Sequence, residues 1–346
     1  MFDVTKKEKL RTLSFIDSEL TDLHIHVGAS VAPHIMWGIA HQQGLRLPVR
    51  NYWEFLDLIT VSADKVHSVD DYLQILHKVT EKIQSSPHAM ERCVYEIIGK
   101  EYRGANVTRI ELRFNPMKRN LGGERDLDHI LHASLRGMEQ ACLEYSCEAG
   151  IIVCLAREFS YDLNAILVEK AIKYRDRGVI AIDVAGPEAN PWEKDATLME
   201  RYAGLFARAR AAGLRITMHT GETEHTGHEG VAAVVRKLKP DRIGHGVQAH
   251  RSVETMKLLR EENVTLEVCP SSNLWCKTVR DMDHLREVLR LFLDNGVPFT
   301  INTDGTHLLK TNMLGELKLL HENKILSEDE ICATIARSKA VSFIGK

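Results

Sequence analysis

Histidines able to bind a metal ion recur at two places in this sequence. DLHIH places His24 and His26 two residues apart, and TMHTGETEHTGHEG, residues 217–230, holds three histidines directly after the apolar run Leu214 to Met218. Side chains alternate along a β-strand, so His24 and His26 point to the same side and are able to share one ion. The alternative for this pair is a wet interior that holds two histidines without metal.

Other apolar runs also end in residues that bind metals. His219 lies at the end of one such run, His245 lies in RIGHG, and Asp304 lies in INTDG. A lone histidine is more often a hydrogen-bonded core or surface residue than a ligand, but several independent runs with such ends predict one shared site. Nitrogen and carboxylate ligands without a thiolate suit Zn²⁺, although Fe²⁺, Mn²⁺ or Co²⁺ would accept the same set.

Glu222 is the candidate for acid chemistry beside this site. It lies three residues after His219, in a predicted turn between a strand and a helix. That position brings its carboxyl group near the metal without making it a ligand. The alternative is a carboxylate that only interacts with the dipole at the amino end of the next helix.

Eight short β-rich runs supply the framework, and most are followed by a segment with helical periodicity. The runs are Leu20 to His26, Val107 to Phe114, Gly150 to Leu155, Val179 to Val184, Leu214 to His219, Asp241 to Gly244, Val264 to Val268 and Pro298 to Thr303. This alternation predicts an α/β protein, and eight rounds fit a (β/α)8 TIM-type barrel. Active sites of such barrels lie at the carboxyl ends of the strands, where the candidate ligands fall.

The interval between the first and second predicted strands breaks this rhythm with several helical patterns. They cover Pro33 to Gln43, Tyr52 to Ile59, Val69 to Ile83 and His88 to Arg103. We predict a helical insertion over about residues 30–104 at the barrel mouth, where such barrels keep their substrate-covering elements. No repeat or linker divides the chain, so we expect a single domain over residues 1–346.

Composition and charge narrow the class of partner. The 45 basic and 48 acidic side chains nearly cancel, which favours a small neutral ligand over a nucleic acid or an anionic membrane. The seven cysteines form no CxxC pair and are typical of reduced thiols. The amino-terminal MFDVTKKEKL is too polar for a signal peptide, and no apolar run reaches the roughly 20 residues that span a bilayer. We therefore expect a cytoplasmic protein, and the sequence leaves its oligomeric state open.

The motifs DLHIH, MHTGE, RIGHG, EVCPSSN and INTDG occur in this order on predicted strands one, five, six, seven and eight. IDVAGPE on the fourth strand and ELRFNP on the second add to them. Together these motifs resemble those of the adenosine deaminase family of metal-dependent hydrolases, and the resemblance covers nearly the whole chain. It implies a hydrolytic deaminase of a 6-aminopurine nucleoside or a related aminated heterocycle, which releases ammonia.

The same resemblance assigns a role to each motif residue. It implies that one divalent ion, Zn²⁺, is bound, and that Glu222 donates a proton to the ring nitrogen. His245 matches the residue that orients or deprotonates the attacking water, with Asp304 as a further proton acceptor. Gly186 matches the backbone group on the N3 side of the purine, and His26 and Gly305 are the other predicted substrate contacts. The implied metal ligands are His24, His26, His219 and Asp304.

Two positions depart from the family pattern, and both concern the substrate. Family members that act on adenosine carry a second aspartate, which contacts N7 of the purine, where this chain has Gly305. They also carry a leucine-aspartate-glycine turn, which holds the ribose 5′ hydroxyl, where this chain reads Val27, Gly28 and Ala29. Loss of two hydrogen-bonding groups weakens selection for plain adenosine. We therefore predict a 5′-modified adenosine, a free base or another aminated heterocycle as substrate.

Two other functions fit parts of the sequence. A related metal-dependent amidohydrolase would cleave an amide or ester bond, but many of those enzymes bridge two metals with a carbamylated lysine at a strand end. The runs IIVCLAREF and VIAIDVAG contain no lysine, which favours one metal. A catalytically impaired binding protein is the third possibility, although it has no need of a ligand set together with Glu222 and His245.

Overall fold

The computed structural model describes residues 13–62 and 65–345. The amino-terminal segment MFDVTKKEKL, for which we expect no signal peptide, lies outside the described residues. Within them, no helix combines the length and the apolar composition needed to cross a membrane. All seven cysteines are described, and each is a free thiol.

In the described residues, nine strand segments, all paired in parallel, surround the centre of the barrel. They are β1 Leu20–His26, β2 Val107–Phe114, β3 Glu148–Ala156, β4 Val179–Ala185, β5 Arg215–Ile216, β6 His219–Thr220, β7 Arg242–His245, β8 Thr265–Val268 and β9 Phe299–Ile301. Neighbours in sequence are neighbours in space, first from β1 to β5 and then from β6 to β9. Each predicted strand is therefore present, with ends that differ by a few residues at most.

Backbone hydrogen bonds join these two sheets into one ring. β5 and β6 are parts of the single predicted fifth strand: the Thr217 amide between them donates to the Ile182 carbonyl at 3.0 Å, and the Met218 carbonyl accepts from the Gly244 amide at 2.9 Å. On the other side, the Asp304 amide donates to the His24 carbonyl at 2.8 Å. The predicted (β/α)8 barrel is confirmed, and Asp304 lies at its closing seam.

Helices follow the strands and cover the outside of the barrel. Between β1 and β2 lie α1 Val27–Ser30, α2 Pro33–Gln42, α3 Tyr52–Leu58, α4 Val69–Ile75, α5 Glu81–Ile83 and α6 Pro87–Ala105. The remaining α-helices are α7 Leu127–Tyr145, α8 Tyr161–Lys173, α9 Ala196–Ala211, α10 Gly227–Leu238, α11 Val253–Glu261, α12 Pro270–Trp275, α13 Met282–Asp294, α14 Met313–Glu322 and α15 Glu328–Val341. Short 3₁₀ turns cover Pro116–Arg119, Arg175–Arg177, Trp192–Lys194 and Val247–Arg251.

Local signals in the sequence set the ends of many of these helices. The Ser86 hydroxyl accepts from the Ala89 amide and Pro87 occupies the first turn, so α6 begins where an amino-terminal cap and a proline are both favourable. The same helix ends at Asn106, which takes the left-handed conformation with φ of 51°. Asp281 likewise caps α13 by accepting from the His284 amide.

The insertion differs from its prediction in one detail. The single helical pattern predicted over Val69 to Ile83 is divided into α4, a π-helical turn at Leu76–Thr80, and α5. Such turns are rare and often occur at functional sites. Here the turn brings Leu76 and His77 into the wall of the cavity at the barrel mouth.

The interior of the barrel is unusually polar for a parallel sheet. Apolar side chains fill the layer between strands and helices, and Leu112, Ile182 and Leu266 are each fully buried. Facing inward, however, Arg113 and Glu267 are also 0% exposed. Buried charges of this kind are costly unless they are paired, so their partners define what the barrel centre holds.

Candidate active site

A cavity opens at the carboxyl ends of the strands, where barrels of this type carry their active sites. Most of the predicted site residues lie on its wall, although they come from strands spread along the chain, whereas His24 and Gly305 are not among the lining residues. His26, His219, Glu222, His245 and Asp304 all line it. Parallel strands place their carboxyl ends at one rim, which is why these distant residues meet.

Three imidazoles and one carboxylate face a common point at the base of this cavity. The ligand nitrogens of His24, His26 and His219 lie within 4.8 Å of one another. His26 Nε2 is 3.2 Å from His219 Nε2 and 3.4 Å from Asp304 Oδ1. His24 Nε2 is 3.7 Å from the same Asp304 oxygen. Tetrahedral ligands about 2.1 Å from Zn²⁺ are about 3.4 Å apart, so the set has the spacing of a metal site.

The histidine nitrogens that face away from this point are held by buried carboxylates. His24 Nδ1 lies 2.8 Å from Glu267 Oε2, and His219 Nδ1 lies 3.0 Å from Asp183 Oδ2. Metal-bound histidines typically donate their other ring N–H to such a group, which fixes the tautomer. His24 Nε2 then has no hydrogen-bond partner among the described residues although it is buried. Burial also lowers the pKa of His24 well below its ordinary value, which leaves a neutral ring able to bind a cation.

A buried ion network below the histidines supports these carboxylates. Arg113 donates to Asp183 at 3.2 Å and to Glu267 at 2.9 Å, and thereby links the partners of His219 and His24. Arg242 donates to the other oxygen of Glu267 at 2.7 Å. Sequence reasoning named none of these four residues. The available signal was a charged residue inside an apolar strand run, in ELRF, IDVAG and LEVC.

Replacing Glu267 by Gln is expected to weaken metal binding by about 10- to 100-fold, the usual effect of losing a carboxylate behind a metal-bound histidine. The amide keeps the shape of the side chain but removes the negative charge that holds His24. Competition with a chromogenic chelator would measure the affinity. The control is Glu330→Gln, which makes the same change on a carboxylate paired with Arg290 at 2.7 Å, between helices α13 and α15. Equal metal affinity in the Glu267 variant and the wild type would show that this carboxylate does not tune the site.

Asp304 and His245 are held in uncommon backbone conformations. Their φ angles are 62° and 58°, in the left-handed region that non-glycine residues seldom adopt. Strained residues of this type persist where the surroundings determine them, and they concentrate at functional sites. The Ser272 hydroxyl donates to Asp304 Oδ2 at 2.6 Å, and the Asn273 amide nitrogen lies 3.1 Å from His245 Nδ1. The SSN part of the EVCPSSN motif therefore orients both residues.

Glu222 lies at the cavity wall close to this group. Its Oε1 is 3.7 Å from His245 Nε2. Burial raises the pKa of Glu222 well above its ordinary value, and the neighbouring Glu188 and Asp304 carboxylates add to the shift. Glu188 also fixes the turn, because it accepts from the Glu222 and Thr223 amides at 3.2 and 2.6 Å. A buried carboxyl group with a raised pKa favours the protonated form, as a proton donor requires.

Gly186 is placed where only a glycine fits. It lines the cavity with φ of 104°, and a Cβ atom there would lie 2.5 Å from a Glu158 carboxylate oxygen. The absence of a side chain leaves its backbone open to a ligand. His26 is the most exposed of the candidate metal ligands, with 19% of its side chain accessible. It therefore borders both the point that the four candidate ligands face and the open cavity.

Other side chains lie close to Gly28 and Gly305, the two positions that we predict to depart from the family pattern. A Cβ atom on Gly305 would lie 2.4 Å from the Tyr72 hydroxyl oxygen and 2.5 Å from Ala29 Cβ. A Cβ atom on Gly28 would lie 3.2 Å from Arg119 Nη2 and 3.3 Å from Leu76 Cδ2. The space that an aspartate would need at position 305 is thus taken by Tyr72 and Ala29, whereas at position 28 the two flexible side chains would have to give way by only a few tenths of an ångström.

A cysteine also lies near the histidines. Potential ligand atoms of His24, His245 and Cys269 are within 4.8 Å of one another. Burial raises the pKa of the Cys269 thiol well above its ordinary value, and its sulfur donates to the Glu267 carbonyl at 3.6 Å. Asp304 lines the cavity, and its Oδ1 lies 3.4 Å from His26 Nε2 and 3.7 Å from His24 Nε2, so it fits the histidine set better than the Cys269 sulfur.

Comparison with known proteins identifies the family pattern over nearly the whole chain. A family model described as adenosine deaminase matches residues 20–346. The adenosine deaminase of Vibrio vulnificus (strain CMCP6) is 29% identical over 318 residues, which cover 92% of each chain.

Solved structures share the same fold at lower sequence identity. An adenine deaminase from Arthrobacter aurescens superposes with a TM-score of 0.82 at 19% identity and covers 95% of this chain and 94% of its own. An amidohydrolase from Burkholderia ambifaria with bound Zn superposes with a TM-score of 0.82 at 21% identity, over 96% of this chain and 87% of its own.

Proposed function

Because this chain belongs to the adenosine deaminase family, we propose that it is a zinc-dependent aminohydrolase that removes the amino group of a 6-aminopurine or a related aminated heterocycle and releases ammonia. It is a hydrolase of carbon–nitrogen bonds in cyclic amidines. One observation carries the proposal: several reactive groups meet at the base of one cavity. They are three imidazoles, one of which has a buried nitrogen without a hydrogen-bond partner in the described part of the chain, a carboxylate and a buried glutamic acid.

The family uses a divalent metal, generally zinc, and four residues of this chain fit one such ion. They are His24, His26, His219 and Asp304, which combine neutral imidazoles with one carboxylate and leave a further position for water. The buried and unpartnered His24 Nε2 supports this assignment, because an unsatisfied ring nitrogen is costly without a ligand. When bound, such an ion lowers the pKa of water to about 7 and so supplies a nucleophile at neutral pH.

Side chains around the candidate metal ligands donate and accept the protons of the reaction. Attack at the amino-bearing carbon breaks the aromaticity of the ring, and this becomes feasible when the adjacent ring nitrogen is protonated. Glu222 donates that proton, because its buried carboxyl group favours the acid form. His245 and Asp304 orient the attacking water and accept its proton, which is relayed to the departing amino group. Ammonia then leaves from the tetrahedral carbon.

The cavity favours a substrate other than plain adenosine. Position 28 offers no carboxylate for a ribose 5′ hydroxyl, and the neighbouring Arg119 is instead paired with Glu81 at 2.7 Å. Position 305 offers none for the purine N7. We therefore propose a 5′-modified adenosine, a free base or another aminated heterocycle as the preferred substrate, with Gly186, His26 and Gly305 at the substrate boundary.

A screen for ammonia release tests this function. The zinc-loaded protein would be incubated with adenosine, adenine, 5′-substituted adenosines and other aminated heterocycles, and kcat/KM compared. We expect the kcat/KM of at least one other aminated compound to exceed that of adenosine, since two groups that select adenosine are absent. Adenosine winning by a wide margin would overturn the substrate proposal, and no ammonia from any compound would overturn the proposed reaction.

A further inference from the structure

Tyr72, on helix α4 of the insertion, takes the place of a side chain at Gly305. Its hydroxyl oxygen lies 2.4 Å from the position that a Gly305 Cβ atom would occupy. Tyr72 also lines the cavity together with Glu222, His245 and Asp304. A residue distant in sequence therefore brings a hydroxyl group to the point where family members carry their second aspartate.

The Tyr72 side chain is fixed and its hydroxyl is unused. Only 4% of the residue is exposed, and its ring packs in a small apolar cluster with Val66, Leu76, Leu308 and Leu309. The hydroxyl is buried and has no hydrogen-bond partner within the part of the chain that the structure describes. A buried unpaired hydroxyl is costly, so one at a cavity wall is suited to a ligand that supplies the missing partner.

We propose that Tyr72 is a specificity-determining residue that donates its hydroxyl hydrogen bond to the purine N7, in place of the carboxylate absent at Gly305. This inference rests on the proposed function and names the substrate class within it: an aminated heterocycle with an unprotonated nitrogen acceptor at the N7 position. The glycine at position 305 and the tyrosine at position 72 fit together, because an aspartate at 305 would collide with the Tyr72 hydroxyl.

The chemistry of the two groups differs in a way that matters for recognition. A phenol O–H donates directly to a ring nitrogen, whereas an ionised carboxylate only accepts and needs a proton at one of the two partners. Burial raises the pKa of Tyr72 well above its ordinary value, and the Asp304 charge acts in the same direction. Tyr72 therefore keeps its proton at neutral pH and remains a hydrogen-bond donor.

Exchange of N7 for carbon in the substrate gives a direct test. kcat/KM would be measured for adenine, adenosine and AMP and for their 7-deaza counterparts, with the analogue as competitive inhibitor where it is not turned over. For the pair whose purine is a substrate, we expect the wild type to favour the purine by about tenfold to a hundredfold. In Tyr72→Phe the ratio of kcat/KM for the purine to that for its 7-deaza analogue should fall to about one. The decrease should come from a lower kcat/KM for the purine, with little change for the analogue.

Tyr95→Phe is the matched control, because it removes the same atom from a tyrosine whose hydroxyl donates to Glu144 at 2.6 Å, away from the cavity. It should keep the wild-type preference. A Tyr72 variant that loses activity on both members equally, or keeps the full preference, would overturn the N7 contact while leaving the deaminase function intact. A wild type that releases ammonia from no aminopurine would overturn the N7 contact, and one that releases it from no aminated heterocycle would overturn both proposals.

Discussion

Replacing Glu222 by Gln is expected to lower the rate of ammonia release by about 10²- to 10⁴-fold, the usual contribution of a positioned acid. The amide preserves the size of the side chain but has no proton to give to the ring nitrogen. Glu222 is buried beside His245 and points to the cavity, so loss of its proton acts on the reaction rather than on folding. Steady-state kinetics together with metal analysis of the purified variant would measure the effect.

Glu224→Gln is the control for this substitution. It makes the same chemical change two residues further along the same turn, on a side chain that is 72% exposed and paired with Arg251. We expect wild-type turnover from it. If turnover by the Glu222 variant fell by less than about tenfold with its metal content intact, Glu222 would not be the proton donor.

Loss of a metal ligand is expected to have the other large effect. In His219→Ala, the nitrogen that faces His26 at 3.2 Å is removed, and only His24, His26 and Asp304 remain. We expect the purified wild type to hold one ion per chain and the variant to hold much less. Turnover should fall by at least about a thousandfold, because a bound metal lowers the activation barrier by several kcal/mol. Elemental analysis and ammonia release would be measured on the same samples.

His225→Ala provides the comparison, since it removes an exposed histidine from the same turn. It should retain both the ion and the activity. Restoration of the chelated wild type by Zn²⁺ would separate metal loss from unfolding. Two tightly bound ions per wild-type chain would contradict the single-metal proposal and favour an amidohydrolase that acts on an amide or ester bond. Full metal loading without turnover on any substrate would instead favour a binding protein.

The strands and the candidate ligands could be predicted because each is a local property of the sequence. Alternation along β1 puts His24 and His26 on one face whatever the rest of the chain does. Short β-rich runs that alternate with helical segments predict a parallel barrel, and the barrel then places every strand end at one rim. The structure accordingly brings His219, His245 and Asp304 to the same point.

The contacts between the histidines and the carboxylates behind them depend on the register between the strands. Asp183 pairs with His219 from β4, and Glu267 reaches His24 from β8, two strands away from β1 in the ring. A shift of one residue in either strand would turn these side chains outward, so the pairing follows from the assembled barrel. The motifs IDVAGPE and EVCPSSN contain these two carboxylates, but the sequence alone gives no geometric reason to place them behind the histidines.

By itself, then, the sequence predicted the barrel, the types of the candidate ligands and a departure from the family pattern at two positions, since these depend on residue type and on periodicity along one element. Only the tertiary structure decided what lies at those two positions. The helical pattern around Tyr72 predicts a helix but not which of its faces packs over the barrel mouth, and that packing is what puts the hydroxyl at Gly305. Contacts between elements far apart in sequence are set by the packing of whole surfaces, which no single stretch of residues encodes.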